Sequence, residues 1–160
     1  MNSFRMQRRV PFTPQQMYVL VGDIESYPEF VPLCQSLRVR TRSVDAETGS
    51  TTLVADMTVA YKMIRETFTS RVIMDPGPLT VLVEYVDGPF RHMQNRWRFE
   101  AIAGGGCNVE FDIAYEFRSR MLGMLMGAMF DTAFRRFAEA FEQRARAVYG
   151  VEQDPTVQPA

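Results

Sequence analysis

Residues 120–149 read RMLGMLMGAMFDTAFRRFAEAFEQRARAVY, and no proline interrupts them. Within this stretch Phe130, Phe134, Phe137 and Phe141 recur at steps of four, three and four, which places their rings on one stripe of an α-helix. A helix of this length extends roughly 45 Å at about 1.5 Å per residue. The sequence therefore predicts a long C-terminal helix whose aromatic stripe must be covered by another large element.

The beginning of this helix has a different character. From Met121 to Phe130 no side chain carries a charge or a hydrogen-bonding group, so every face of the helix is apolar. Packing on a core explains only one side of such a segment. A ligand, a membrane, a protein partner or a second copy of the chain could cover the rest. Gly123 and Gly127 each destabilise a helix interior by up to about 1 kcal/mol, which favours close approach of another group there, as in a homodimer.

Composition and charge limit the classes of function. The 160 residues fit one domain over residues 1–150, with residues 151–160 as a flexible tail. The net charge of −1 provides no overall attraction to nucleic acid or anionic lipid, although arginines cluster locally at Arg38, Arg40 and Arg42. Cys34 and Cys107 lack metal or redox spacing. We expect a cytoplasmic protein with no signal segment and no membrane span, whose apolar helix start touches the inner membrane surface peripherally.

The rest of the chain predicts a largely antiparallel sheet. Thr13, Pro14 and Gln16 form a capping-box sequence that begins a short helix ending at Gly22, and Asp23 begins a second short helix through Tyr27. Alternating apolar residues between turn sequences predict seven strands: Ser3–Val10, Leu37–Val44, Thr51–Tyr61, Met63–Met74, Leu79–Val86, Arg91–Ile102 and Asn108–Arg118. Short connections imply antiparallel pairing, so the fold class is α+β with a curved seven-stranded sheet wrapped around the C-terminal helix.

The last predicted hairpin shows which face of the sheet needs covering. Its aromatic face carries Trp97, Phe99, Phe111, Ile113, Tyr115 and Phe117. Pairing Phe99 with Phe111 sets Arg98 opposite Asp112 on the outer, charged face. Phenylalanine and methionine dominate the expected filling between sheet and helix, and methionine suits surfaces that repack around variable apolar shapes. A solidly packed core and a ligand cavity are both consistent with this pattern.

Catalytic patterns are weak. His92, the single histidine, lies in the register opposite to Trp97 and is expected at the surface or a rim. Glu66 and Asn95 share the inward register of their strands, so each is a candidate polar anchor for a ligand head group. For Glu66, pairing with an arginine and action as a general base are the alternatives. No metal-ligand, phosphate-loop or nucleophile-elbow spacing occurs in the sequence.

Four motifs together resemble the coenzyme Q-binding START-domain family. They are the segment DIESYPEFVPLC at residues 23–34, ETFTSRV at residues 66–72, DGPF at residues 87–90 with Asn95, Trp97 and Phe99, and the helix end at Phe141, Arg144, Tyr149 and Gly150. The resemblance covers roughly residues 3 to 150. Leu33 departs from it, since family members often carry tryptophan there.

The resemblance implies a helix-grip fold around a hydrophobic tunnel that binds ubiquinone, a polyprenyl quinone, in support of respiration, without catalysis or any required cofactor. The family lies in a wider polyketide cyclase-like group. It also includes bacterial ribosome-association toxins, so a module that binds a ribosomal subunit is the alternative and a cyclase-like enzyme a third. Expected ligand-binding residues are Tyr27, Pro28, Phe30 and Val31 at the mouth, Glu66, Phe68, Met93, Asn95, Trp97, Phe99, Phe111, Ile113 and Tyr115 on the sheet, and Leu122, Met126, Met129 and Phe130 on the helix.

Overall fold

A computed structural model describes residues 2–150, and the expected tail at residues 151–160 lies outside these described residues. The elements in chain order are β1 (Asn2–Val10), α1 (Pro14–Gly22), a 3₁₀ helix (Ile24–Glu29), β2 (Cys34–Val44), β3 (Thr51–Tyr61), β4 (Ile64–Asp75), β5 (Thr80–Asp87), β6 (Phe90–Ala101), β7 (Cys107–Phe117) and α2 (Arg120–Tyr149). The strands form one sheet in the order β1-β7-β6-β5-β4-β3-β2, and every neighbouring pair is antiparallel. The α+β helix-grip fold, with a curved sheet around a long C-terminal helix, is confirmed.

The two helix starts follow from local chemistry. The Thr13 hydroxyl accepts a hydrogen bond from the Gln16 backbone N–H at 3.0 Å, and the Gln16 side chain accepts from the Thr13 N–H at 2.9 Å. This capping box satisfies two N–H groups that α1 cannot bond internally. At α2 the Ser119 hydroxyl accepts from the Leu122 N–H at 3.1 Å. By contrast Asp23 does not cap the 3₁₀ helix, because its carboxylate accepts from the Ser26 hydroxyl instead.

The aromatic stripe of α2 faces the sheet as predicted. Phe130, Phe134 and Phe141 are buried, and Phe137 is partly buried. Phe134 packs against Phe111 and Tyr115 of β7 with ring centroids 6.1 and 5.6 Å apart. The helix therefore closes the concave face of the sheet along the line that its three- and four-residue spacing defines.

The register of the last hairpin differs from the sequence prediction. Phe111 pairs with Trp97 rather than Phe99, so Arg98 lies opposite Glu110 and not Asp112. The reason is the turn at residues 102–106, whose three glycines all have φ between 88° and 102° and let the strands pair from Ala101 and Cys107 onward. A slip of two residues leaves each side chain on its predicted face, so the aromatic and charged faces are as expected.

Candidate ligand-binding cavity

A cavity remains between the concave face of the sheet and the middle of α2. Its volume is about 120 Å³, and the atom-free space around it, including the part open to solvent, is about 970 Å³. An engineered apolar cavity of about 150 Å³ holds benzene, so the enclosed part is of a size for roughly one ring. The interior is thus neither solidly filled nor large enough to enclose a long prenyl chain completely.

Three parts of the fold contribute to the wall. The loop after α1 gives Ile24, Tyr27, Val31, Pro32 and Leu33; the strands give Leu37, Ala55, Met57, Val59, Phe68, Ser70, Val72, Val81, Val83, Phe90, Met93, Asn95, Trp97 and Ile113; and α2 gives Phe130, Ala133, Phe134, Phe137 and Phe141. Every one of these residues is uncharged. A wall of this kind suits an apolar ligand with a small neutral polar group, since burying an ion requires a charged or hydrogen-bonding partner.

The structure places eight of the expected binding residues in the wall: Tyr27, Val31, Phe68, Met93, Asn95, Trp97, Ile113 and Phe130. The other nine do not line the cavity: Pro28, Phe30, Glu66, Phe99, Phe111, Tyr115, Leu122, Met126 and Met129. Contact with a ligand stays a prediction for the first set. For the second set, neighbouring side chains explain the separation from the cavity.

The expectation that Phe99 lines the tunnel is not met, because α1 covers its strand end. The Phe99 ring stacks on Trp97 at 6.2 Å and meets the edge of Tyr18 at 6.3 Å. Phe111 and Tyr115 share the inward face, but the rings of Phe134 and other α2 residues lie directly on them. These residues build the core beside the cavity.

The expected methionine-lined path along the helix start is also absent. Met126 is 1% exposed, yet it packs into the core rather than the cavity wall. Met121, Met124 and Leu125 point outward and are 71%, 79% and 56% exposed. The all-apolar start of α2 therefore divides into a buried face and a solvent-facing one.

The loop over the cavity is held by aromatic contacts with α2. Tyr27 and Phe30 meet Phe141 edge-on, with centroids 5.4 and 5.0 Å away. The Tyr27 hydroxyl donates to the Val21 carbonyl, and burial, with smaller effects of Cys34 and Asp23, raises the pKa of this phenol well above its usual range. Pro28 lies within the 3₁₀ helix. Leu33 lines the cavity with φ of 70°, a left-handed conformation that a non-glycine residue adopts only under local constraint.

Asn95 and Trp97 form a linked pair in the cavity wall. The Asn95 side chain donates to the Asp112 carbonyl at 2.8 Å and accepts from the Trp97 indole N–H at 3.1 Å. These bonds satisfy a buried amide and hold the indole against the cavity. One N–H and one lone pair of the Asn95 amide are left over.

The two expectations for Glu66 as a structural or catalytic group require correction. Its side chain is half-buried, and within residues 2–150 it forms neither an ion pair with an arginine nor a hydrogen bond. It also lies outside the cavity wall. At this end of β4, beyond the end of β5, Glu66 pairs with β3 alone.

Ser70 is a wall residue that the sequence analysis missed. It is 6% exposed, faces the cavity on β4, and its hydroxyl has no hydrogen-bond partner among residues 2–150. The signal was present in the sequence, because Ser70 shares the inward alternation of Phe68 and Val72.

Other candidate reactive groups lie away from the cavity or are inert. His92 is exposed, as expected. Cys34 is buried and unpaired, as is Cys107, and burial raises the pKa of both thiols to about 11. Among residues 2–150 no group of three or more histidine, cysteine, aspartate or glutamate side chains could hold a metal.

The arginine run on β2 does not form one face. Arg40 pairs with Asp56 at 2.7 Å on the outer side. A register shift between Val39 and Thr41 turns Arg42 to the same side as Leu53, where it pairs with Glu25 at 3.3 Å. Strict alternation predicted a single stripe, and the bulge breaks it.

One end of the molecule combines apolar and basic side chains. The β3–β4 hairpin and the start of α2 lie at the same end of the antiparallel sheet, where Met63 is 97% exposed. The exposed cations at this end are Lys62, Arg65, Arg118 and Arg120. In the described part of the chain, no helix has the length and hydropathy needed to cross a bilayer.

The fold and cavity define a helix-grip protein with an uncharged internal pocket. Residues 10–142 match the family model described as polyketide cyclase/dehydrase and lipid transport, and the chain belongs to this family. The resemblance seen in the motifs is thus confirmed at the level of the family.

Relatives carry two kinds of name. The ribosome association toxin RatA of Escherichia coli K12 is 32% identical over 88% of this chain and 84% of its own length. The mitochondrial coenzyme Q-binding protein coq10 of Schizosaccharomyces pombe is 31% identical over 94% of this chain and 91% of its own.

Solved structures agree on the architecture. An 18 kDa protein of Caulobacter crescentus is 33% identical and superposes with a TM-score of 0.76, covering 94% of this chain and all of its own. The ZhuI aromatase/cyclase of a Streptomyces species has the same TM-score over 92% of this chain and 95% of its own at 15% identity, which shows the fold alone.

Proposed function

We propose that the protein binds and delivers a hydrophobic ligand of the polyprenyl quinone class, most simply ubiquinone, in support of respiration. The uncharged cavity under α2 carries this proposal. Its enclosed volume suits one ring, so the head group would enter and the prenyl tail would leave through the open side. The coenzyme Q-binding relative supports the same ligand class.

Binding without turnover is part of the proposal. A cyclase needs an acid or base beside its substrate. The ionisable groups of the wall reduce to the phenol of Tyr27, whose proton is already donated to Val21. The wall thus favours a carrier or chaperone over an enzyme.

Filling the cavity tests the proposal. Ala133 lines it from α2 and is 5% exposed, so Ala133→Phe would place a ring in the ligand's space. Trp97 is the only tryptophan and lies in the wall, so quenching of its fluorescence by decylubiquinone reports binding. We expect quenching in the wild type and in the exposed control Ala128→Phe, but at least tenfold weaker binding in Ala133→Phe. Unchanged binding by a folded Ala133→Phe protein would contradict the cavity model.

We further propose that the protein works in the cytoplasm at the inner membrane surface, through the mixed apolar and basic end. Met63, Met121, Met124 and Leu125 would enter the lipid interface while the neighbouring cations face anionic head groups. Ligand transfer would then avoid exposing the prenyl tail to water.

Vesicle flotation tests this surface. Replacing Met121, Met124 and Leu125 by glutamine should weaken binding to vesicles of three parts phosphatidylcholine and one part phosphatidylglycerol by about tenfold or more. Val148→Gln is the matched control, because Val148 is 52% exposed near the other end of the same helix. Equal flotation of both variants would show that this surface does not bind lipid.

Association with a ribosomal subunit is the second candidate, supported by the RatA relatives. The outer sheet face would provide the contact, with Arg38 and Arg40 exposed on β2. Cosedimentation with ribosomal subunits should fall with salt and with the double change Arg38→Glu and Arg40→Glu. Arg135→Glu on α2 is the control, and cosedimentation that survives the double change would remove this surface from consideration.

A further inference from the structure

Two polar side chains interrupt the apolar wall of the cavity from neighbouring parts of the sheet. Ser70 lies on β4 and Asn95 on β6, with β5 alone between them. Their strands are about 10 Å apart, at about 4.8 Å per strand spacing. Val83 pairs with both Val72 and Asn95, so Asn95 is level with a position two residues from Ser70. Both side chains face the concave side and line the cavity.

Bonds within the protein leave part of the hydrogen-bonding capacity of both side chains unused. Ser70 is 6% exposed, and its hydroxyl has no partner within residues 2–150. Asn95 is 8% exposed. Its amide donates one N–H to the Asp112 carbonyl and accepts a hydrogen bond from the Trp97 indole, so a second N–H remains without a partner in these two bonds. Among residues 2–150 no fully buried side-chain nitrogen or oxygen lacks a hydrogen-bond partner, so the Ser70 hydroxyl opens onto the cavity, where the polar group of a ligand can bond it.

We infer that Ser70 and Asn95 form a head-group subsite that recognises a neutral hydrogen-bond acceptor, a ring carbonyl in the case of a quinone. This inference rests on the proposed binding function and adds to it the place and chemistry of head-group recognition. In this subsite the Ser70 hydroxyl donates to the carbonyl oxygen, and the second N–H of Asn95 remains available to the ligand from β6. The carbonyl-bearing ring lies between β4 and β6 beside Trp97, and the tail leads away from them.

The subsite also selects against other lipids. All wall residues are uncharged, so a carboxylate or phosphate head would lose its hydration without gaining a counter-ion. A pure hydrocarbon would leave the Ser70 hydroxyl unpaired. The ligand class is therefore an apolar molecule with a neutral carbonyl-bearing head.

The test compares two probes with the same tail. Decylubiquinone carries ring carbonyls and decylbenzene carries none; the first is measured by quenching of Trp97 and the second by its displacement of the first. We expect Ser70→Ala to weaken decylubiquinone binding about three- to tenfold and to leave decylbenzene binding within twofold. Ser70→Thr retains the hydroxyl and should stay within about threefold of the wild type for both probes.

The outcomes separate the subsite from the carrier function. Wild-type binding of decylubiquinone with an unchanged ratio of the two affinities in Ser70→Ala would overturn the subsite and leave the carrier function intact. A parallel loss for both probes would assign Ser70 a packing role and would also overturn the subsite. Failure of the wild type to bind decylubiquinone at all would overturn the carrier function and the subsite together.

Discussion

The two halves of α2 differ in how completely the rest of the chain covers them. In the C-terminal half Phe141 is 2% exposed, Glu142 pairs with Arg8 at 2.6 Å, and the Tyr149 hydroxyl donates to the Gln16 carbonyl at 2.8 Å. In the N-terminal half the apolar side chain of Met124 is 79% exposed. One helix therefore anchors the fold through its C-terminal half, here called the covered half, and presents apolar surface on its N-terminal half, here called the open half. Packing within residues 2–150 covers the first half, whereas it leaves apolar side chains of the second half exposed.

The largest effect should come from removing the anchor of the covered half. Phe141→Ala deletes a ring that contacts Tyr27, Phe30 and Trp97, and we expect the free energy of unfolding to fall by about 3–5 kcal/mol. Urea denaturation measures this change. Met124→Ala is the counterpart in the open half and should stay within about 0.5 kcal/mol of the wild type. Similar values for the two variants would mean that the halves are not energetically distinct.

The two halves of α2 also show how far the sequence alone can predict the structure. Fold class, strand number and the aromatic stripe follow from periods of two and about 3.6 residues, which burial imposes on every strand and helix. The limit appears where tertiary geometry decides. Met126 and Met124 are chemically identical and two residues apart, yet the first is buried and the second is 79% exposed, because only one face of α2 packs on the rest of the fold. Similarly, Phe99 and Trp97 share a face, but α1 covers the first and the cavity opens beside the second.

The prediction of polar groups in the site was limited in the same way, because the register of a strand gives the face of a side chain but not its burial. Asn95 was identified because amide groups in an inward register are conspicuous, whereas Ser70 is small and common in strands. Glu66 had the same inward register, but the sheet is too narrow at that end of β4 to bury it. Register assigns a face, and only the neighbouring strands determine whether that face is interior.

A medium effect is expected from the ion pair that fastens the covered half to β1. Burial raises the pKa of Glu142, but hydrogen bonds from Arg8 and Arg146 outweigh it and hold the pKa below the usual value of 4.5. The ionised carboxylate therefore stabilises the fold fully above about pH 4.5, and this contribution is lost as pH falls through the lower folded-state pKa.

Glu142→Gln isolates this contribution. We expect it to lower the free energy of unfolding by about 1–2 kcal/mol at pH 7, since solvent partly screens both arginines, and the difference from the wild type should shrink as pH falls below 4.5. Chemical denaturation across pH measures it, with exposed Glu139→Gln as control. A loss that is independent of pH would indicate packing rather than charge.

The smallest effect concerns the glycines of the open half. A Cβ added at Gly127 meets nothing within 4 Å, and one at Gly123 meets Phe117 at an ordinary 3.7 Å, so no contact inside the described chain requires glycine at either position. Gly127→Ala should therefore raise the free energy of unfolding by about 0.5–1 kcal/mol through helix propensity alone. Gly88→Ala is the contrasting control, because its φ is 141° and an added Cβ would lie 2.6 Å from that of Phe68, and this change should destabilise the fold.

If a homodimer packs through the glycine face, sedimentation should show dissociation in the more stable Gly127→Ala variant, and unchanged assembly would remove the glycine face as the dimer contact.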